Sequence, residues 1–508
     1  MWIPIDRDNP VPLYQQIQCF LREQIQSGAL LPETRLPASR ELSTSLGVSR
    51  VTVTNAYAEL EAEGLVNSRP GSGTFVSPPP AELPEPSSDH LSNNDWPMWQ
   101  QESLNRSWLV PEWELDRFRD SAMGADHISF GEGLGATELF PVDGFRKALQ
   151  TVLRRDGAKA LDYGDRAGYP PLRATIAQIM TSQGIPTHPD HVLVTSGSHQ
   201  ALAMVAWLLL RPGDVVLVES PTYAGAIDLL RAMNVRLLGI PVDEQGMQVE
   251  QVEDALRTAR PRLIYTIPTF HNPTGVCMTV ARRRHLVALA SRYNVPILED
   301  DFAGDLRYEG RPQPTLRALD PRNDVIYIST FSKVLMPALR VGFLTAAGPV
   351  YERLLAYKRF SDLATSNLMQ RAVDAYITVG RYKTHLRWAC REYRRRRDAM
   401  LAALARHAPH ETRWIVPQGG LFLWLRLPGG LSANELYPTA VEEGVSFAPG
   451  SLFFPGQREQ SCLRLNFVSH SPEVVEEGIR RLGVAIKHCL AQEQREAGEP
   501  RHRGQVVI

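Results

Sequence analysis

Between residues 191 and 345, short β-rich apolar runs alternate with longer stretches of helical patterning, and this alternation restricts the fold more than any other feature of the chain. The runs are His191 to Thr195, Val215 to Glu219, Val235 to Ile240, Leu263 to Ile267, Val295 to Glu299, Val325 to Ser329 and Gly342 to Thr345. Parallel strands need a long crossover between them, usually a helix. The spacing therefore predicts an α/β domain with a mainly parallel sheet, running from about residue 126 to 490. Open sheets of this kind bind ligands outside the carboxyl ends of their strands, so chemistry is sought just after each run.

The run at 325 leads into Ser329-Thr330-Phe331-Ser332-Lys333, with Arg340 seven residues on. Of the 55 basic residues six are lysines, so a lysine set between hydroxyls after an apolar strand stands out. A desolvated lysine amine can form a Schiff base with an aldehyde. The hydroxyls of Thr330 and Ser332 and the charge of Arg340 suit an adjacent phosphate. Gly197, Ser198 and His199 lie between a strand and an apolar helix, where backbone amides cradle anions, although a plain helix start has the same pattern. Asn272, in His271-Asn272-Pro273-Thr274-Gly275, suits either a β-turn or a hydrogen bond to a cofactor oxygen. Asp300, favoured over its neighbour Asp301, ends a strand where a carboxylate can keep a pyridine nitrogen protonated. Tyr223 suits ring stacking or a core position. Arg464 stands inside the apolar run Leu463 to Phe467, and a buried arginine needs an anion, from a substrate or from a structural acid.

Taken together, these positions resemble the class I aminotransferases of pyridoxal phosphate (PLP) fold type I. The resemblance covers about residues 126 to 485 and includes Tyr163-Gly164-Asp165, Gly168, Leu172-Arg173 and Gly419-Gly420-Leu421-Phe422. It implies a mainly parallel sheet with a smaller C-terminal α+β part, and pyridoxal 5'-phosphate on Lys333. Gly197, Ser198, His199, Thr330, Ser332 and Arg340 would surround its phosphate. Tyr223, Asn272 and Asp300 would contact its ring, and Arg464 a substrate or effector carboxylate. It also implies a homodimer in which Tyr163 reaches the phosphate of the neighbouring subunit. One position departs from the family. A tyrosine is expected two or three residues after Asp300, where this chain has Phe302 and Ala303. The missing hydroxyl is worth about 0.5–1.5 kcal/mol, which puts fast transamination rather than cofactor binding in doubt.

Residues 1 to 76 form a separate pattern. Apolar residues at 13, 17, 20, 21 and 25 have helical spacing. Ser39 is placed to cap a helix that Gly47 closes, and Ser49 begins the next, Arg50 to Glu63, with Val51, Val53, Ala56, Tyr57 and Leu60 available to its core face. A short glycine-containing turn between two helices predicts a helix-turn-helix, and Gly64 to Val76 reads as a two-stranded wing. Ser49, Arg50, Thr52 and Thr54 open the recognition helix, while Arg40 and Arg69 are candidate backbone or minor-groove contacts. The module carries six arginines, no lysine and eight acids, so its charge alone does not announce a DNA binder. Its phrases Pro12 to Ile17, Leu36 to Leu42, Val48 to Val53 and Gly71 to Val76 resemble the GntR-like winged-helix family, whose arginines after the cap serine and at the recognition-helix start contact DNA.

Residues 77 to 125, opening on Pro78-Pro79-Pro80, have linker composition. Trp96, Trp99, Trp108 and Trp113 in the second half suggest a part that packs. The last residues, 491 to 508, read as a polar tail. The net charge is -1, and the five cysteines are widely spaced without metal-ligand pattern. No signal peptide or membrane span is apparent, so a cytoplasmic location with no metal and no membrane partner is expected. The basic run Arg394 to Arg397 reads as a solvated helix face. A winged helix, a linker and an aminotransferase-like domain together resemble the MocR-type regulators. That resemblance implies a head-to-tail homodimer on a double-stranded operator. It further implies sensing of an amino acid or amine through an external aldimine at the cofactor of Lys333, with at most residual aminotransferase half-reactions. The alternative is an active aminotransferase with an accessory DNA-binding domain.

Overall fold

Three helices and a two-stranded wing build the first of two structural units, Met1–Arg106; the second is Ser107–Ile508. The computed structural model describes residues 3–7, 9–69, 71–78, 98, 126–456 and 460–498. Helices α1 (Leu13–Gln26), α2 (Ser39–Leu46) and α3 (Arg50–Ala62) precede β1 (Val66–Arg69) and β2 (Gly73–Val76), which pair antiparallel. Their core joins Ile17 and Leu21 to Leu36, Leu42, Val53, Ala56, Tyr57 and Leu60, closed by Val66 and Val76. Gly47 ends α2 in the left-handed conformation (φ 62°) that glycine adopts without strain. Ser49 caps α3, its Oγ accepting from the Thr52 amide at 3.2 Å.

Two details of this unit differ from expectation. Ala38, not Ser39, occupies the cap position of α2; Ser39 is the first helical residue and makes no capping bond. Instead its Oγ accepts from Arg50 Nε at 3.4 Å. Val51 is 66% exposed. A helix turns about 100° per residue, so Val51 and Val53 stand roughly 200° apart and only Val53 faces the core.

In the second unit β3 (Ile128–Ser129) is followed by β4 (Val192–Thr195), β5 (Val215–Ser220), β6 (Arg236–Asp243), β7 (Gly246–Met247), β8 (Leu263–Thr266), β9 (Ile297–Asp300), β10 (Val325–Thr330) and β11 (Gly342–Thr345). The main sheet has the order β4-β11-β10-β9-β8-β5-β6-β7. Strands β4, β10, β9, β8, β5 and β6 share one direction, while β11 and β7 oppose it. Both faces are buried, as parallel sheets require. Val216, Val218, Tyr265, Leu298 and Ile328 pack into one core; Leu217, Ile264, Ile297 and Val325 alternate with them into a second. The carboxyl ends of β4, β5, β8, β9 and β10 therefore lie along one edge.

A smaller antiparallel sheet of β12 (Arg413–Trp414), β13 (Phe422–Arg426), β16 (Cys462–Asn466) and β15 (Ala448–Pro449) follows in that order, and β14 (Val445–Ser446) pairs with β3. Helices Arg381–His407 and Pro472–Gly498 pack with one another. The latter continues past residue 490 because Ala491 to Ala497 are good helix formers. The basic run is not one solvated face. Arg394 and Arg395 are exposed, but Arg396 and Arg397 are 3% exposed. Glu138 and the Val468 carbonyl hold Arg396, while Glu309 and the Pro417 carbonyl hold Arg397. The linker tryptophans 96, 99, 108 and 113 lie outside the described residues. Among the described residues no helix is long and apolar enough to cross a membrane, and no acid, histidine and cysteine cluster suits a metal.

Candidate functional site

The turn after β10 places Lys333 at the sheet's carboxyl edge, its Nζ donating to the Gly133 carbonyl at 2.8 Å. Burial, aided by the positive charges of Arg464 and Arg340 and opposed by Asp300, lowers its ammonium to about 8. A substantial share is thus a neutral amine near physiological pH. Thr330 Oγ1 donates to Ser332 Oγ at 3.0 Å and accepts from the Ser332 amide at 3.1 Å, fixing the turn.

Beside it, β4 ends in Ser196-Gly197 and the helix Ser198–Leu209 begins. Arg340 reaches across and donates from Nη2 to the Ser196 carbonyl at 2.7 Å. Gly197 has φ 100°, and a Cβ there would lie 2.9 Å from that Nη2. A Cβ on Gly342 would lie 2.7 Å from the Gly197 carbonyl carbon. The two glycines let free helix-terminal amides and a guanidinium converge on one point, which is an anion cradle.

Asp300 ends β9 and is 4% exposed. Its Oδ2 accepts from the Tyr265 hydroxyl at 3.0 Å, while its buried Oδ1 has no partner among the described residues. Burial pushes the carboxyl up to about 7, against the Tyr265 hydrogen bond and the Lys333 charge. Asp301 is held in the same way, its Oδ2 accepting from the Tyr327 hydroxyl at 2.7 Å and its Oδ1 without a partner among the described residues; it is Asp300 on which the Lys333 charge acts. Asn272 Oδ1 accepts from Arg464 Nη1 at 3.0 Å. Tyr223 precedes the helix Ala224–Ala232 and meets the His199 ring edge-on, centroids 6.5 Å apart. Phe302 is buried on the ring of Phe422.

Arg464 is 7% exposed and lies between the rings of Phe422 and Phe453, at 4.1 and 4.9 Å. Its second bond runs from Nη2 to the Gly131 carbonyl at 2.6 Å, its Nε is unsatisfied, and no carboxylate pairs with it among the described residues. Burial lowers the guanidinium to about 9. A cavity of about 680 Å³ is lined by Arg464, Tyr223, Phe453 and the segment 131–134.

The donor set suits a phosphorylated pyridine aldehyde. The orphaned Asp300 Oδ1 wants a donor such as a protonated ring nitrogen, the Gly197–Arg340 cradle wants a phosphate, and Lys333 offers the amine. Gly197, Ser198, His199, Tyr223, Asn272, Asp300, Thr330, Ser332, Lys333, Arg340 and Arg464 all belong to this edge or its immediate surroundings. Tyr163 does not join them within one chain: it is 80% exposed. Sequence reasoning missed Tyr265, which alternates inward along β8. It also missed Glu219, whose buried carboxylate accepts from Thr266 Oγ1 and the Ile267 amide, both at 2.8 Å, and lies 3.3 Å from His271 Nε2. His271 Nδ1 in turn lies 2.8 Å from Thr274 Oγ1, so this chain of contacts steadies the loop that carries Asn272.

In the first unit Arg40, Ser49, Arg50 and Thr54 are exposed and Thr52 half-buried. Arg69 is engaged: its Nη2 donates to both carboxylate oxygens of Glu33, at 2.9 and 2.8 Å.

Residues 127–482 match the aminotransferase class I and II family, and residues 13–76 the gntR family of bacterial regulatory proteins. The chain is 31% identical to the HTH-type transcriptional regulator YisV of Bacillus subtilis (strain 168), over 96% of its own length and 99% of that protein. It is 32% identical to the probable rhizopine catabolism regulatory protein MocR of Rhizobium meliloti, over 95% of each chain. Among solved structures it is similar to LysN, the α-aminoadipate aminotransferase of Thermus thermophilus, complexed with N-(5'-phosphopyridoxyl)-L-leucine. The TM-score is 0.69 at 38% identity, covering 74% of this chain and 97% of that one.

Proposed function

Because the chain belongs to the MocR-type regulators, a gntR-family DNA-binding domain joined to an aminotransferase class I and II domain, we propose that an amino acid or amine bound beside Lys333 sets its affinity for operator DNA. Pyridoxal 5'-phosphate is the cofactor of the larger domain, and when bound it supplies an aldehyde that condenses reversibly with amines. Lys333 presents its partly neutral amine to that position. Arg340 and the amides after Gly197 would hold the phosphate, Asp300 Oδ1 would accept from the ring nitrogen, and Tyr223 and Asn272 would orient the ring. The observation that carries the reading is Arg464: a buried guanidinium without a carboxylate, facing a cavity, is costly unless a ligand brings the anion.

Effector binding at Arg464 has a route outward. Arg464 and Lys333 hold the Gly131 and Gly133 carbonyls, and Asn466 Nδ2 holds those of Glu132 and Leu134 at 2.8 and 2.7 Å. A ligand carboxylate on Arg464 competes with Gly131, and this segment is joined through residues 126–130, which include β3, to the linker, residues 77–125. Ligands shift such equilibria only through unequal affinity for the two states. We place the protein in the cytoplasm as a head-to-tail homodimer in which the exposed Tyr163 of each protomer reaches its partner's phosphate site. Arg40 and Arg50 with Ser49, Thr52 and Thr54 read the operator.

The test is visible absorption of the purified full chain titrated with single amino acids, beside Lys333→Ala. A band present only with the lysine, and displaced by one class of amino acid, supports the reading. A protein that takes up no cofactor would overturn it.

A further inference from the structure

Among its described lining residues the effector cavity has two acids and one base. Besides Arg464, its charged lining residues are Glu132 and Asp228. Asp228 projects from the helix Ala224–Ala232, one turn beyond Tyr223, and is half-buried. It makes no hydrogen bond and no ion pair within 4 Å among the described residues. Its charged neighbour, Arg231, donates from Nη2 to the Pro455 carbonyl at 3.2 Å and acts on Asp228 only through its charge. Burial pushes the Asp228 carboxyl above its ordinary range, with Arg231 opposing. A partly desolvated carboxylate without an ion pair gains from a cationic partner, as the more deeply buried arginine that shares its cavity gains from an anionic one.

The rest of the wall is apolar, with Leu134, Leu452 and Phe453, and so suits an aliphatic chain. The main-chain carbonyl of Glu132 is taken by Asn466 while its side chain is exposed at the cavity. One guanidinium without a carboxylate and two acids without an ion pair within 4 Å, among the described residues, line one cavity with apolar wall, and together they define a complementary ligand.

Resting on the sensor reading above, we infer that the effector is an α-amino acid with a cationic side chain, its carboxylate on Arg464 and its distal cation between Asp228 and Glu132. An acidic amino acid would set a third negative charge against these two. A neutral one would leave the half-buried Asp228 without an ion pair.

The cofactor-loaded full chain is titrated with L-lysine, L-norleucine, L-glutamate and 1,5-diaminopentane, reading the displacement of the visible band. Norleucine is lysine without its ammonium, and the diamine is lysine without its carboxylate. Lysine is expected to bind about ten- to a hundredfold more tightly than norleucine, the range a charge-assisted hydrogen bond supplies, and more tightly than the diamine. Asp228→Asn should remove most of lysine's advantage over norleucine and leave norleucine unchanged, a control that also shows the variant folds. If norleucine or glutamate matches lysine, or if Asp228→Asn keeps the preference, the charge assignment fails while the sensor reading stands. If none of the four displaces the band, and no other amino acid does, both fail together.

Discussion

Replacing Tyr265 by phenylalanine removes one hydroxyl from the site and keeps the ring in its core position. The hydroxyl donates to Asp300 Oδ2 at 3.0 Å, and the other oxygen of that carboxylate has no partner among the described residues. A hydrogen bond to a charged group contributes about 1.5–3 kcal/mol. At about 1.4 kcal/mol per pH unit, its loss lifts the buried carboxyl from about 7 to roughly 8 to 9. The sign is that of a raised acid: the ionised form, which the ring nitrogen requires, becomes scarcer as pH falls. At pH 7 the ionised fraction drops from about a half to between roughly a tenth and a hundredth, so cofactor affinity falls about five- to fiftyfold. Near pH 9 most of that loss is recovered, because Tyr265 bonds the ionised carboxylate equally before and after binding. Lys333, lowered to about 8, feels the Asp300 charge, so a less ionised Asp300 in the variant also lowers the lysine further. Cofactor-free protein titrated with pyridoxal phosphate at pH 7 and pH 9 measures this directly. A Tyr265→Phe protein that binds as tightly at pH 7 as the parent, or loses equally at both pH values, would refute the electrostatic role assigned to Tyr265.

Gly197→Ala puts a Cβ 2.9 Å from Arg340 Nη2 at φ 100°. If strain of about 1–3 kcal/mol is relieved by moving Arg340 out of the cradle, cofactor affinity should fall about five- to 150-fold, measured by equilibrium dialysis. Arg464→Met should abolish the response to amino acids yet leave thermal stability within about 1 kcal/mol of the parent or above it, since a buried cation without a carboxylate contributes little. A large loss on calorimetry would show that Arg464 is structural. Arg50→Ala should weaken operator binding, seen by gel shift, and leave the visible band in place. Undiminished binding would remove Arg50 from the recognition surface.

The strands and their site-bearing ends were legible because β-branched runs bounded by glycine, proline and polar clusters encode burial on both faces. Lys333, Asp300 and Arg464 stood out as polar residues at the ends or middles of such runs. The winged helix was legible in outline, but Val51 was given to the core because a list of apolar residues ignores angle. The core-facing set Val53, Ala56, Tyr57 and Leu60 keeps helical spacing without it. Contacts distant in sequence stayed hidden. Tyr265 meets Asp300 from 35 positions away, and Glu138 buries Arg396 from 258. Local pattern reports which face a residue turns to, not which partner waits there. The two acids of the effector cavity were illegible for the same reason: Glu132 and Asp228 come from separate segments, and neither interrupts a pattern.

Coupling between the two sites is the central claim, and anisotropy of labelled operator DNA measures it most directly. The cofactor-loaded protein and its Lys333→Ala variant are each titrated onto DNA with and without the amino acid that displaces the visible band. The account predicts a change of several-fold or more in operator Kd for the parent, within the range of about 5- to 150-fold typical of such coupling, and none for the variant. An unchanged Kd in the parent, despite a displaced band, would contradict it.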